Sequence, residues 1–154
     1  MVSKNRLLFV IKQIIIKRFY VLFFIVLFTS CDPYHEAYLC NESQKDIEIL
    51  IKIDEQHVID IHNKNYSARF LKEFSKEAGN LEEVEIDTVS LIGHYKIKTD
   101  KCALMDEGIT ISPEYIFNYL AVITISDTLI LSNRKEIENA FKRIKGSRYE
   151  LTVK

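Results

Sequence analysis

The feature that most constrains the fold is a strict alternation of isoleucine with other residues in the segment Asp46–Asp54. Every second position there is apolar and β-branched: Ile47, Ile49, Ile51 and Ile53. Successive side chains of a β-strand point to opposite faces, so this period places the four isoleucines on one face. Because β-branched residues are also common in strands, the segment is predicted to be a half-buried strand.

Other short segments have a similar strand-like character, and the connections between them are too short for parallel crossovers. They are Ala37–Asn41, Val58–Ile61, Val84–Leu91, Tyr95–Lys98, Cys102–Met105, Tyr119–Ser126, Thr128–Leu131 and Tyr149–Val153. We expect two hairpins, one around Thr99–Lys101 and one around Ser126–Thr128. Val84 and Ile86 are expected to face inward. Residues 106–118 read as a loop, because Pro113 cannot lie in a central strand.

Two segments have helical spacing. Ser67–Ala78 places apolar residues on one side, with Ser67 as the expected N-cap and Gly79 just past the end. Nearer the C-terminus, Asn133 and Glu136 match a capping box. One apolar stripe follows, with Gly146 as the expected C′ residue: Ile137, Ala140, Phe141 and Ile144. The expected fold is mainly β, an antiparallel β-sandwich with a C-terminal amphipathic helix.

The first 30 residues contain five bases and no acid. Phe19–Phe28 is a run of ten apolar residues, shorter than the roughly 20 that span a bilayer. Small Thr29 and Ser30 follow, and then Cys31. A basic, then apolar, then small-residue order is typical of a secretory signal peptide.

The segment Phe28–Cys31 resembles the lipobox of bacterial lipoproteins, in which an apolar residue and two small residues precede an invariant cysteine. The resemblance implies that the Cys31 thiol receives a diacylglyceryl group and that cleavage makes Cys31 the first residue. Acyl chains then replace the discarded apolar segment as the anchor. The alternative is a signal anchor, with Leu7–Phe28 uncleaved and its charges inside the bilayer at considerable cost.

The chain behind this cysteine is similar in arrangement to small bacterial lipoproteins that have a β-sandwich and no assigned activity. The resemblance rests on the lipobox, an early strand ending at Asn41, the hairpin at Ser126–Thr128, an amphipathic helix and a final strand. The expected division is a signal peptide over residues 1–30, a tether over 31–36 and a single β-rich domain over 37–154. That family offers no catalytic residues to transfer.

Charge argues against nucleic acid as a partner. Of the 21 bases and 22 acids, five bases lie in the leader, so residues 31–154 hold 16 bases against 22 acids, a net charge of −6. Phosphate binding needs a basic surface. Several bases near the C-terminus, including Lys142, Arg143 and Lys145, are expected in the last helical turn, where cations favour the helix dipole. They also allow a patch for anionic headgroups or an acidic partner.

Cys40 and Cys102 remain as a pair if Cys31 carries lipid. An envelope compartment permits a disulfide between them. The alternative is two separate buried thiols, each acting as a small apolar side chain.

No combination of residues predicts a catalytic or metal site. The histidines are His35, His57, His62 and His94. His57 and His62 are five residues apart, a poor spacing for joint zinc ligation, whereas Asp60 and His62 share a face of the expected third strand. The acidic run over residues 82–87 lacks the glycine of a calcium loop. We expect no cofactor apart from the covalent lipid on Cys31.

These expectations favour a non-enzymatic binding or structural role in the bacterial cell envelope. The protein would be lipid-anchored in the cell membrane or outer membrane, with its domain in the periplasm or on the surface and an envelope protein as its candidate partner. An inhibitor or immunity-type protein is the alternative, with Asp106–Tyr119 as the loop that would present an acidic or aromatic surface. A metal-dependent periplasmic hydrolase using Asp60, His62 and a distant acid is less favoured.

Overall fold

A computed structural model describes residues 34–61, 66–110 and 112–154. The strands are β1 His35–Asn41, β2 Ile47–Ile53, β3 Leu81–Asp87, β4 Ile92–Ile97, β5 Lys101–Gly108, β6 Phe117–Ile123, β7 Thr128–Leu131, β8 Lys142–Lys145 and β9 Arg148–Val153. The helices are α1 Glu55–Ile61, α2 Tyr66–Glu77 and α3 Arg134–Ala140. Cys31, the expected signal peptide and His62 lie outside the described residues.

The strands form two sheets that pack against each other, as the expected β-sandwich requires. The first sheet has the order β5-β1-β9-β8 and the second has the order β3-β4-β2-β6-β7. Neighbouring strands are antiparallel except β1 and β9, which run parallel. The prediction of a mainly β, antiparallel-rich sandwich is therefore confirmed.

The alternating strand lies in the middle of the second sheet. β2 is hydrogen-bonded to β4 on one side and to β6 on the other. Its four isoleucines are all buried, which confirms the half-buried strand. They meet Ala37 and Leu39 of β1 and Ala103 and Met105 of β5 in one apolar core. Burial of this face is the main force that holds the two sheets together.

The expected hairpin between residues 95–98 and 102–105 is wrong, because these strands belong to different sheets. β4 pairs with β2 and β3, whereas β5 pairs with β1. The intervening segment crosses from one sheet to the other beside the turn between β1 and β2. There the Thr99 N–H donates to Asp46 and the Thr99 hydroxyl donates to the Ser43 carbonyl. The hairpin between β6 and β7 is confirmed.

The expected third strand at residues 58–61 is also wrong, because this segment is helix α1. Asp54 precedes the helix and caps it. Its side chain accepts the His57 N–H at 3.3 Å, and its carbonyl accepts the Val58 N–H. Val58 of this helix is fully buried and packs in the core. A cap and one buried contact outweigh the β-propensity of a short apolar run.

The C-terminal helix begins as predicted but ends early. The Asn133 side chain accepts the Glu136 N–H at 3.0 Å, while the Glu136 carboxylate accepts the Ser132 N–H. The helix ends at Ala140, and Lys142–Lys145 forms β8 instead. Gly146, with φ of 59°, lies in the turn between β8 and β9, and Ile144 is exposed. The bases expected in a last helical turn therefore lie on an edge strand.

Three smaller expectations are also corrected. Val84 is 50% exposed rather than inward, because a bulge between Glu83 and Glu85 shifts the register of β3 against β4. β1 begins at His35, so residues 35 and 36 belong to a strand and not to the tether. In the first helical segment, α2 begins at Tyr66, and Ser67 lies inside it as a buried residue. Gly79 follows with φ of 79°, as predicted for the helix end.

Within the described part of the chain, no helix combines the length and apolar character needed to cross a membrane.

Candidate functional site

A cavity of about 410 Å³ lies between α2, the edge strand β5 and the segment that joins β5 to β6. Its buried floor consists of Phe74, Ala78, Met105 and His35. Phe70 lies beside Phe74, with their ring centroids 4.9 Å apart. α2 is held against β5 because the Ala78 carbonyl accepts the Leu104 N–H at 3.1 Å. The floor is therefore apolar and aromatic, apart from one histidine.

His35 is only 2% exposed, and oxygen atoms face both of its ring nitrogens. Nε2 lies 2.7 Å from Asp106 Oδ2, and Nδ1 lies 3.0 Å from Thr110 Oγ1 and 3.3 Å from the Thr110 carbonyl oxygen. Asp106 Oδ2 also accepts the Glu114 N–H at 3.0 Å. These contacts tie the start of β1 to the segment that forms one wall of the cavity.

The rim of the cavity carries negative charge. Exposed Glu77, Glu107 and Glu114 surround the opening, and half-buried Asp106 lies below them. Among the described lining residues there is no lysine or arginine. Tyr34 donates to the Glu107 carboxylate at 2.7 Å, and this hydrogen bond is the largest cause that raises the pKa of Tyr34 to about 12. The arrangement suits a ligand with an apolar body and a positive group.

Replacement of Asp106 by alanine is expected to lower the free energy of unfolding by about 2 kcal/mol. The buried His35 ring and the Glu114 N–H would both lose their acceptor. Urea unfolding followed by circular dichroism measures the change.

Glu107→Ala is the matched control, because this next carboxylate along β5 is exposed and accepts a hydrogen bond from a surface tyrosine. We expect little change for it. Equal effects of the two substitutions would show that the contacts of Asp106 are not structural.

Tyr115 is fully buried, and its hydroxyl has no hydrogen-bond partner among the described residues. The ring packs between Phe117 and Phe141, with centroids 5.2 and 4.9 Å away. Burial raises the pKa of this hydroxyl above its usual value. One of the two tyrosines in the segment expected to present an aromatic surface, Tyr115, therefore lies in the core.

Tyr115→Phe is expected to stabilise the protein by about 1 kcal/mol, because it removes a buried donor without a partner. Tyr95→Phe is the matched control, for which we expect a change in stability of the opposite sign. Tyr95 is equally buried, but its hydroxyl donates to the Leu71 carbonyl at 2.8 Å. We expect that variant to lose about 1 kcal/mol. Thermal unfolding compares the two, and a loss in both would reveal an acceptor for Tyr115.

The other described residues considered from the sequence do not form a site. Asp60 lies in helix α1 and not in a strand, and Gln56 donates to it at 3.1 Å. Its expected partner, His62, lies outside the described residues. His94 contacts Glu48 on the second sheet at 2.8 Å. Within residues 34–61, 66–110 and 112–154, no group of three His, Cys, Asp or Glu side chains is arranged to hold a metal ion.

Cys40 and Cys102 are joined by a disulfide in the structure. They are directly opposite each other in the antiparallel pair of β1 and β5. The bond lies in the same pair of strands as His35 and Asp106, at the other end of it.

No local signal connects His35 with Asp106, because they are 71 residues apart. The sequence places Phe70 and Phe74 only among the apolar residues of the helical segment Ser67–Ala78. A cavity formed by one helix, one strand and one connection depends on which elements become neighbours.

Comparison of the chain with protein-family models, curated proteins and solved structures finds no match.

Proposed function

We propose that this protein is a lipid-anchored binding protein of the bacterial cell envelope, and that the cavity between α2 and β5 is its ligand site. One observation carries the proposal: a largely apolar floor, with the neighbouring rings of Phe74 and Phe70, lies under a rim of carboxylates. The role is non-enzymatic. The ligand is an organic cation, with an apolar group that contacts Phe70 and Phe74 and an ammonium or guanidinium group at the rim.

The charges explain why a cation is favoured over an anion. Asp106 is already engaged by His35 and the Glu114 N–H, so Glu77 and Glu114 are the rim carboxylates best placed to attract a positive group. An apolar floor lowers the local dielectric and strengthens that attraction. The two aromatic rings give the apolar group of the ligand a large contact area.

The anchor is proposed from the lipobox at residues 28–31. It is tested by growing cells with a fatty-acid probe and comparing the natural chain with Cys31→Ser. We expect label on the natural chain alone. Mature protein with an intact, unlabelled N-terminus would rule out the anchor.

Ligand class is tested with two probes of similar shape and opposite charge, 2-phenylethylammonium and 3-phenylpropionate. The full protein is placed in phosphatidylcholine nanodiscs, and binding is followed by calorimetry. We expect the ammonium to bind and the carboxylate not to bind. Glu77→Gln combined with Glu114→Gln is expected to weaken binding roughly tenfold, about 1.4 kcal/mol.

The matched control is Glu83→Gln combined with Glu85→Gln, which removes two exposed carboxylates from β3, away from the cavity. It should leave binding unchanged. Equal affinity for both probes, or equal loss in both double variants, would contradict the proposed site.

A hydrolytic function is the second candidate, and one observation favours it. Thr110 Oγ1, the His35 ring and the Asp106 carboxylate form a continuous chain of contacts, which is the order of a nucleophile, a base and an orienting acid. It ranks second because His35 is buried and the Thr110 hydroxyl donates to the Ser112 carbonyl at 2.7 Å.

Aryl ester hydrolysis distinguishes this candidate from binding. If Thr110→Val abolishes ester turnover, the hydrolase is favoured. If the variant keeps full turnover, Thr110, His35 and Asp106 are not the catalytic group. Stoichiometric zinc or calcium in the purified protein would instead favour the metal-dependent hydrolase.

A further inference from the structure

The strand register defines two ends of the sandwich. β1 runs into β2 through the short connection 42–46, so His35 at the start of β1 and Ile53 at the end of β2 lie at the opposite end from that connection. We call the end with His35 the tether end, because the chain enters the domain there. The connections 88–91, 109–116 and 146–147 also lie at this end, since β3, β5 and β8 run towards it.

Among the described residues outside the strands, three exposed apolar side chains lie at the tether end, each on a different segment: Tyr34, Val89 and Ile109. Tyr34 and Ile109 flank the terminal pair of β1 and β5, His35 opposite Gly108. Val89 is 93% exposed and Ile109 is 68% exposed. Backbone hydrogen bonds attach both connections to the end of β2, from the Ile53 N–H to Leu91 and from the Asp54 N–H to Ile116.

The turn that carries Val89 has a defined shape. The Asp87 side chain accepts the N–H groups of Val89 and Ser90 at 2.8 and 3.0 Å. The N–H of Ser90 is also the largest cause that lowers the pKa of this carboxyl. Leu91 adopts φ of 55°, which completes the turn. Val89 is therefore presented to solvent by a fixed turn.

We propose that the tether end lies on the lipid bilayer, with Val89 and Ile109 inserted among the headgroups and acyl chains and Tyr34 at the headgroup level. The inference rests on the proposed anchor at Cys31. Four residues lead from Cys31 to His35, and they span at most about 14 Å. The anchor thus holds the domain so close to the bilayer that a small apolar surface contacts it. Tyrosine is amphipathic and suits the boundary between headgroups and acyl chains.

The charges at this end make the contact apolar rather than electrostatic. Lys145 and Arg148 flank the connection 146–147, whereas Asp87 and Glu107 lie beside Val89 and Ile109. Glu114 also lies in the connection 109–116, so acids outnumber these two bases at this end and no positive field attracts anionic headgroups. The contact is therefore expected to persist at high salt and on neutral phosphatidylcholine.

The chain contains no tryptophan, so a single introduced tryptophan reports its own surroundings. We would prepare Val89→Trp, Ile109→Trp and Ile125→Trp in the full lipidated protein and reconstitute each in phosphatidylcholine vesicles with brominated acyl chains. Ile125 is 71% exposed in the connection between β6 and β7 at the opposite end, which makes it the matched control. Bromine quenching should roughly halve the tryptophan emission at positions 89 and 109, as expected for side chains at the acyl boundary. The emission at position 125 should not change.

Equal quenching at all three positions, or none at 89 and 109, would overturn the inference. Fatty-acid labelling of the same preparations separates the two proposals. Labelled protein without quenching at 89 and 109 leaves the anchor standing and removes the docked orientation. Unlabelled protein removes both.

Discussion

Reduction of the Cys40–Cys102 disulfide is expected to lower the free energy of unfolding by about 4 kcal/mol. The bond closes a loop of 62 residues that includes β2, both helices α1 and α2, and strands β3 and β4. Closing a loop of this length restricts the unfolded chain, and that restriction is lost on reduction. Urea unfolding of the protein with and without a reductant measures the difference.

The control is the double variant Cys40→Ala/Cys102→Ala. It should show the lower stability without reductant and no further response when reductant is added. If the reductant leaves the natural protein unchanged, the two residues are separate buried thiols, the alternative that the sequence left open.

Replacement of Gly93 by alanine is expected to cost about 3 kcal/mol. An alanine Cβ would lie 2.5 Å from the Tyr95 hydroxyl oxygen and 2.7 Å from the carbon that bears it. Tyr95 is fully buried and its hydroxyl donates to the Leu71 carbonyl, so the ring cannot move aside without losing that bond. Thermal unfolding of the variant measures the loss.

A second background isolates the cause. In Tyr95→Leu, the same Gly93→Ala change should cost much less, because the shorter side chain leaves room for the new methyl group. Gly108→Ala is a milder comparison, since its Cβ would lie 3.1 Å from the His35 ring. Additive losses for Gly93→Ala and Tyr95→Leu would mean that the Tyr95 ring is not the obstacle.

Two predictions that depend on a single segment are confirmed. The isoleucines of β2 are buried together because every second side chain of a strand points to the same face, and that face lies on the core. The capping residue Asn133 was correct because a cap involves atoms three residues apart. Such interactions are complete within a few residues, so tertiary neighbours do not alter them.

Predictions that required a choice between partners were less accurate. Residues 142–145 continue a helical apolar stripe, yet they form a strand because β9 provides hydrogen-bonding partners for them. Residues 95–98 and 102–105 have the spacing of a hairpin, yet each strand pairs with a different sheet. Local spacing does not distinguish a hairpin from a crossing between layers.

The sequence by itself determined the mainly β class, the central strand with its four isoleucines and the start of the C-terminal helix. Only the tertiary structure decided which strands are neighbours, that Cys40 lies opposite Cys102, and that His35 meets Asp106 beside α2. The physical reason is the separation along the chain of the residues that interact. Strand alternation and helix caps are properties of adjacent residues, whereas a cavity exists only when segments far apart in the chain have packed together.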